Sequence, residues 1–309
     1  MVCGRVRVTL ILILLLAVSM VPLSADSPYR LGVLRGPTAV AFAPVFNSST
    51  ELADGRPVEI AAYPDPPSLI AAYIGGEVDS ASLPSNAAAQ LSGRGVGVEV
   101  AATFIWGVLY LVGPAHTSLG ELRGPVHSIG RGASPDILLR YILDQEGLAS
   151  VIRVEYGYAQ VELAQLLIAG RVDAGVLPEP FVTRVLRENR ELGIVADLQE
   201  RFEAHTGSGV PQTVLVVRPG DPAAPEITEL LRTSVARVLA EPDRTAELVA
   251  GLGLGLDEAT ARSSLPRLNL RVASGRESHP ALERYLGILY DFEPASVGGR
   301  LPPPEFYGE

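Results

Sequence analysis

Four short stretches carry polar side chains in settings that suit hydrogen-bonded capture of a small molecule. Ser85-Asn86 follows Leu83-Pro84, and Glu179, with Pro180-Phe181 behind it, follows Leu177-Pro178. Gly130-Arg131-Gly132-Ala133-Ser134-Pro135 joins glycines, which let backbone amides approach a ligand, to a serine and proline suited to a helix start. Thr38, after Arg35-Gly36-Pro37, stands in a comparable place. The glycine-rich stretch suits an anion or carboxylate, and it equally suits an ordinary capped turn. Its spacing departs from both the dinucleotide fingerprint and the Walker loop, so no nucleotide site is indicated.

Other chemistries are removed by what is missing. All 25 basic residues are arginines, which excludes a Schiff-base lysine, a lysine-held pyridoxal phosphate and a P-loop lysine. The one cysteine, Cys3, lies in an apolar leader, leaving no disulfide, thiol nucleophile or cysteine metal site beyond it. His116, His127, His205 and His279 show no short ligand spacing and no Ser-His-Asp order. His116 and His127 fall near turns and are expected in solvent. No catalytic residue, metal or cofactor is indicated. A net charge of −10, no arginine-rich run and 6% aromatics argue against nucleic acid as a partner.

The elements that must position those loops are legible as a repeat. Gly76-Glu77-Val78-Asp79-Ser80-Ala81-Ser82-Leu83-Pro84 recurs as Gly170-Arg171-Val172-Asp173-Ala174-Gly175-Val176-Leu177-Pro178, with Gly, Val, Asp, Leu and Pro in register. In each copy a helical stretch precedes the glycine, which is expected to end it in the left-handed conformation. The proline is expected to stop a buried strand at its carboxyl end. Ligands sit outside the carboxyl ends of strands in open parallel sheets, so Ser85, Asn86 and Glu179 should face one cleft, with Trp106 near its floor.

Further strands are expected at Tyr29 to Leu34, Val58 to Ala62, Val78 to Leu83, Val126 to Ile129 and Gln212 to Val217. Helices are expected from a Thr38 cap to Asn47, from a Ser68 cap to Ile74, and from Asp136 to Glu146 with Ser134 as cap. Val98 to Val112 and Gln212 to Val217 read as crossings between two lobes, with Trp106-Gly107 and Gly207-Ser208-Gly209 as hinge points. Beyond Arg218 the pattern is helical and should clothe the first lobe. The resulting organisation is a leader over 1–25, a discontinuous lobe over 26–106 and 213–309, and a second lobe over 107–212.

The leader itself has Arg5 and Arg7 ahead of an apolar run from Val8 to Val21, then small residues to Ala25. The run is short for the roughly 20 residues of a permanent span, so cleavage after Ala25 and export to the periplasm are expected. Its loss would take the charge from 25 − 35 to 23 − 35, or −12.

With its leader, its repeated Gly-x-Val-Asp-x-x-x-Leu-Pro unit, the Leu177-Pro178-Glu179-Pro180-Phe181 loop and the double crossing, the chain resembles the periplasmic solute-binding proteins of ABC importers. The closest type is the one for nitrate, sulfonates, taurine and thiamine precursors. The tail Val297-Gly298-Gly299-Arg300-Leu301-Pro302 with Phe306-Tyr307 fits the same resemblance, which spans most of residues 29–307. It implies an α/β protein with the two-lobed periplasmic-binding-protein fold (type II). Each lobe would hold a mainly parallel sheet flanked by helices, with the ligand cleft between lobes. It also implies an ABC permease in the inner membrane as partner. Carried over singly, Thr38, Ser85, Asn86, Ser134 and Glu179 would contact ligand. Tyr63, Trp106, Tyr158 and Phe181 would supply rings for a flat or apolar-bodied one. The ligand is expected to be heteroaromatic, amine-bearing or sulfonate-like. Glu179 and Asp65 set against Arg35 and Arg131 lean the reading toward a neutral or amine-bearing aromatic molecule over a simple oxyanion.

Two other readings compete. A same-fold enzyme of the menaquinone-pathway dehydratase type would act in the cytoplasm, against the export signal. The pyrimidine synthase of this fold needs a cysteine-rich motif and a lysine, both missing. A sensor ectodomain or partner-binding module is the other alternative.

Overall fold

The computed structural model describes residues 27–308, so the leader and its expected cleavage point lie outside the described residues. The chain begins with β1 (Tyr29–Leu34), α1 (Pro37–Phe42), β2 (Val58–Tyr63), α2 (Pro66–Gly75), β3 (Ser80–Pro84), α3 (Ser85–Gly93) and β4 (Glu99–Trp106). It then changes sheet for β5 (Leu109–Pro114), β6 (Pro125–His127), α4 (Ser134–Gln145), β7 (Arg153–Glu155), α5 (Gln160–Ile168), β8 (Gly175–Pro178), α6 (Phe181–Glu188), β9 (Leu192–Asp197) and α7 (Leu198–Thr206). It returns through β10 (Pro211–Val217) to α8 (Ala224–Ala240), α9 (Pro242–Gly251), α10 (Glu258–Ser264), β11 (Leu270–Ser274) and α11 (Gly275–Phe292).

Two mixed sheets result, ordered β11-β4-β10-β3-β1-β2 and β7-β6-β8-β5-β9. β2, β1 and β3 pair in parallel, whereas β10 runs antiparallel to both β3 and β4. In the second sheet β7, β6 and β8 are parallel and β5 runs against β8 and β9. The returning β10 and the edge strand β11 make the first sheet mixed, and the interior β5 makes the second mixed, where the sequence suggested mainly parallel ones. The stretch expected as one crossing, Val98 to Val112, is two strands broken at Gly107-Val108.

The repeat folds as the same unit twice. Gly76 and Gly170 end α2 and the turn after α5 with φ of 74° and 64°, a conformation that a side chain disfavours. The following strands bury Leu83 and Leu177 completely. Gly32 on β1 permits close helix packing, since a Cβ there would lie 2.3 Å from Leu69 Cδ1.

One face of the first sheet is covered by α1, α8, α9 and α10, with Phe42 and Phe104 edge to face at 5.7 Å. The other face packs α2, α3 and α11. α11 does more than clothe the first lobe. Its Tyr285 ring meets Phe202 of α7 at 5.9 Å, and its Phe292 meets Tyr141 of α4 at 6.3 Å, so one apolar cluster continues into the second lobe. Among the described residues no helix is long and apolar enough to cross a membrane.

Candidate functional site

Strand direction decides where a ligand can sit. β3 and β4 both run against β10, so they end on the edge from which Gly107-Val108 cross, as does β1, parallel to β3. In the second sheet β5 starts at the crossing and runs against β8, so β8 and its parallel neighbour β6 end there too. The carboxyl ends of both sheets thus face each other, and the helices that follow begin there.

Five of the seven helix starts at those strand ends share a property, α2 and α7 being the exceptions. α1, α3, α4, α5 and α6 have no side-chain cap, their N-cap residues being Gly36, Pro84, Ala133, Ala159 and Pro180. By contrast α2, α7, α10 and α11 are capped by Asp65, Asp197, Asp257 and Ser274. Three cap assignments from sequence are corrected by this. Ser134 is the first residue of α4, Thr38 lies inside α1, and Ser68 donates its amide to Asp65 Oδ1 at 2.8 Å instead of capping. Thr38, Ser85 and Ser134 are buried at these starts and Asn86 is half-buried.

The glycine-rich stretch is shaped by a residue that the sequence did not single out. Asp136, wholly buried, accepts Gly132 N at 2.7 Å and the Tyr156 hydroxyl at 2.7 Å, and pairs with Arg140 at 3.0 Å. Burial, together with the Asp136 contact, pushes the Tyr156 phenol up to about 12, which keeps it a donor. Arg131 lies 4.4 Å over the Tyr156 ring. The Asp136–Arg140 spacing was the available signal, since residues four apart share a helix face. At the end of β6, Ser128 is 1% exposed, and its Oγ, like His127 Nδ1, has no hydrogen-bond partner among the described residues. His127 is therefore not in solvent as expected: it is 9% exposed with its ring 5.2 Å from Tyr158.

Glu179 is engaged already. Its carboxylate accepts Thr183 N and Thr183 Oγ1, each at 3.0 Å, and pairs with the Arg267 guanidinium, which also reaches Thr183 Oγ1. It does not meet Ser85 or Asn86. Trp106 is likewise committed, its Nε1 donating to Arg271 O at 2.8 Å with the Arg271 guanidinium 4.1 Å over its ring. The Tyr63 ring lies against Gly32 beside the sheet. Phe181 lines a groove of about 530 Å³ whose walls are Val161, Pro180 and Arg184 on one side and Leu256, Asp257 and Thr260 on the other. Arg187 spans that groove to Thr260 Oγ1 at 3.0 Å. The structure thus places Thr38 in α1, Ser85 and Asn86 in α3 and Ser134 in α4, each in an uncapped first turn, and sets Tyr63, Trp106, Tyr158 and Glu179 in packing or ion-pair roles.

No family model and no curated protein sequence matches the chain. Solved structures do. An ABC transporter structure from Parabacteroides distasonis is 30% identical, covering 91% of this chain and 98% of that one, with a TM-score of 0.83. The periplasmic aliphatic sulphonate binding protein SsuA of Escherichia coli is 15% identical over 90% and 92%, TM-score 0.70. The alkanesulfonate-binding protein SsuA of Xanthomonas axonopodis pv. citri, bound to MOPS, is 16% identical over 92% and 96%, TM-score 0.61. With facing strand ends, the double crossing and this full-length likeness together, the chain belongs to the ABC-transporter proteins and has the fold of their periplasmic solute-binding components.

Proposed function

We propose that residues 26–106 with 213–309 form one lobe and 107–212 the other, and that a small molecule with an acceptor-rich, anionic head group is held between them. The observation that carries the ligand chemistry is the set of uncapped helix starts. First-turn N–H groups without a side-chain acceptor favour negative charge, and four such starts, those of α1, α3, α4 and α5, sit at the facing strand ends, whereas the first turn of α6 already gives Thr183 N to Glu179. The two carboxylates that a cationic ligand would use are occupied, Asp65 by Ser68 and Glu179 by Arg267 and Thr183. The earlier lean toward an amine-bearing ligand therefore gives way to a sulfonate-like one, in keeping with the sulfonate-binding descriptions of two similar structures.

Thr38, Ser85, Asn86 and Ser134 are the side chains proposed to touch the head group, and Ser128 joins them. Phe181 would meet the ligand's body. The role is capture without catalysis, in the periplasm, after removal of the leader at Ala25. Native mass spectrometry of protein purified without refolding should reveal a co-purified anion. Ethanesulfonate should raise the melting temperature and benzylamine should not, since a ligand at a hundred times its Kd stabilises by about 2.7 kcal/mol. Stabilisation by benzylamine alone would overturn the anionic reading.

A further inference from the structure

Three links between the two sheets lie side by side. The middle one is covalent, Trp106 through Gly107 and Val108 to Leu109. The second is also covalent, the return into Pro211, and it is tied to the first by Gly107 N donating to Val210 O at 2.9 Å. Its own amide, Val210 N, donates to Gln199 Oε1 at 2.7 Å. On the other flank of β4 lies the turn before β11, where Trp106 N donates to Asn269 O at 3.2 Å. From this turn Arg267, in a 3-10 turn over Leu265–Arg267, reaches Glu179 at the end of β8. The order β11-β4-β10 in one sheet matches β8-β5-β9 in the other.

We infer that Arg267 and Glu179 form a third, non-covalent link of the hinge, and that Arg267 is a positioning residue restricting the lobes to rotation about the line through the three links. The inference rests on reading the two sheets as separately moving lobes. Several contacts make the link stiff. Glu179 is fixed within its own lobe by Thr183, and its amide donates to Val108 O at 2.9 Å in the crossing itself. Arg267 is held from its own lobe by Ser263 O at 3.1 Å, and its carbonyl accepts the Tyr110 hydroxyl of β5 at 3.0 Å. Burial raises the Tyr110 phenol, so it stays a donor. The Glu179 side chain has no exposure, so separating the pair would strand a buried charge, which disfavours breaking it during each cycle of opening. The two covalent links are tied at one point, and the pair adds a charged contact off that point, where it acts together with the ring contacts of α11 on α4 and α7 and the Arg187–Thr260 bond.

The test measures lobe geometry without ligand, so its outcome is independent of the ligand proposal. Spin labels go on cysteines at Glu77 and Arg171, both exposed and equivalent in the repeat, in a Cys3→Ser background. Double electron–electron resonance then compares wild type with Arg267→Met, with Glu179→Gln, and with the double variant, which leaves no unpaired buried charge should the single change unfold. The double variant, folded by circular dichroism, should show an interlobe distance distribution about twice as wide as wild type, with Glu179→Gln between them. An unchanged width overturns the inference, and so does a shifted mean at unchanged width, which would make the pair a latch.

Discussion

The amide of Gly107 donates to the carbonyl of Val210 at 2.9 Å, joining the two places where the chain changes sheet. Gly107 has φ of 97°, and a Cβ there would lie 2.7 Å from Gln199 Cβ. Gln199 is not free to retreat, because its Oε1 accepts Val210 N. Gly107→Ala therefore combines left-handed strain of roughly 1–2 kcal/mol with a collision inside the hinge. A urea titration should show a loss above about 1 kcal/mol, and a variant as stable as wild type would mean that the crossing relaxes freely.

Gly76 and Gly170 offer a cleaner comparison. Both are left-handed, with φ of 74° and 64°, and nothing lies within 4 Å of a Cβ at either. Their replacement by alanine costs conformation alone, about 1 kcal/mol each. Urea midpoints should fall by similar amounts in the two variants. A large loss at one position only would show that the two units of the repeat are not structurally equivalent.

Much of this architecture is local and so is legible in the sequence. The repeat named the two left-handed glycines, the buried Leu83 and Leu177 and the strand-ending prolines, because each depends on its immediate neighbours. β11 escaped notice because Leu270–Ser274 is short and becomes a strand only by pairing with β4. Arg267 lies 88 residues from Glu179, and nothing in either neighbourhood announces the pair. The resemblance assigns Glu179 to the ligand through its loop, and no local pattern signals the Arg267 partner. Ser134 is a favourable cap type, yet backbone geometry puts Ala133 at the cap position and the serine one place inside. Local preference named the right loop and the wrong role.

Acid should loosen the groove beside α10. Asp257 is held below the usual carboxylate range, chiefly by the Thr260 hydroxyl and then by the Thr260 amide, at 2.6 and 2.9 Å. A carboxyl lowered on folding contributes stability that is fully present above its unfolded pKa of about 4 and lost as pH falls through the folded value. Arg187, reaching from α6 to Thr260 Oγ1, loses part of its setting in the same step. Amide exchange at Thr260 should accelerate below about pH 4 beyond the intrinsic trend, and Asp257→Asn should abolish that pH dependence.

The decisive comparison for the cleft is Asn86→Ala against Glu179→Ala. Asn86 sits in the first turn of α3, which no side chain caps, so its removal takes no cap from the ligand-free protein. If it bonds a buried ligand group, affinity should fall ten- to a hundredfold, the equivalent of about 1–3 kcal/mol. The ligand-free melting temperature should stay within about a degree, since surface-type losses of this kind are small. Glu179→Ala should behave in the opposite way. It strands Arg267 and Thr183 at the hinge, and because the Arg267 side chain keeps 29% exposure the loss should be about 1–3 kcal/mol. Its melting temperature should therefore drop well before any ligand is added. Calorimetric titration with the co-purified ligand and thermal melts on the same preparations read both quantities. If Asn86→Ala binds normally while Glu179→Ala weakens binding at unchanged stability, the glutamate is a ligand contact after all, and the assignment of roles made here is inverted.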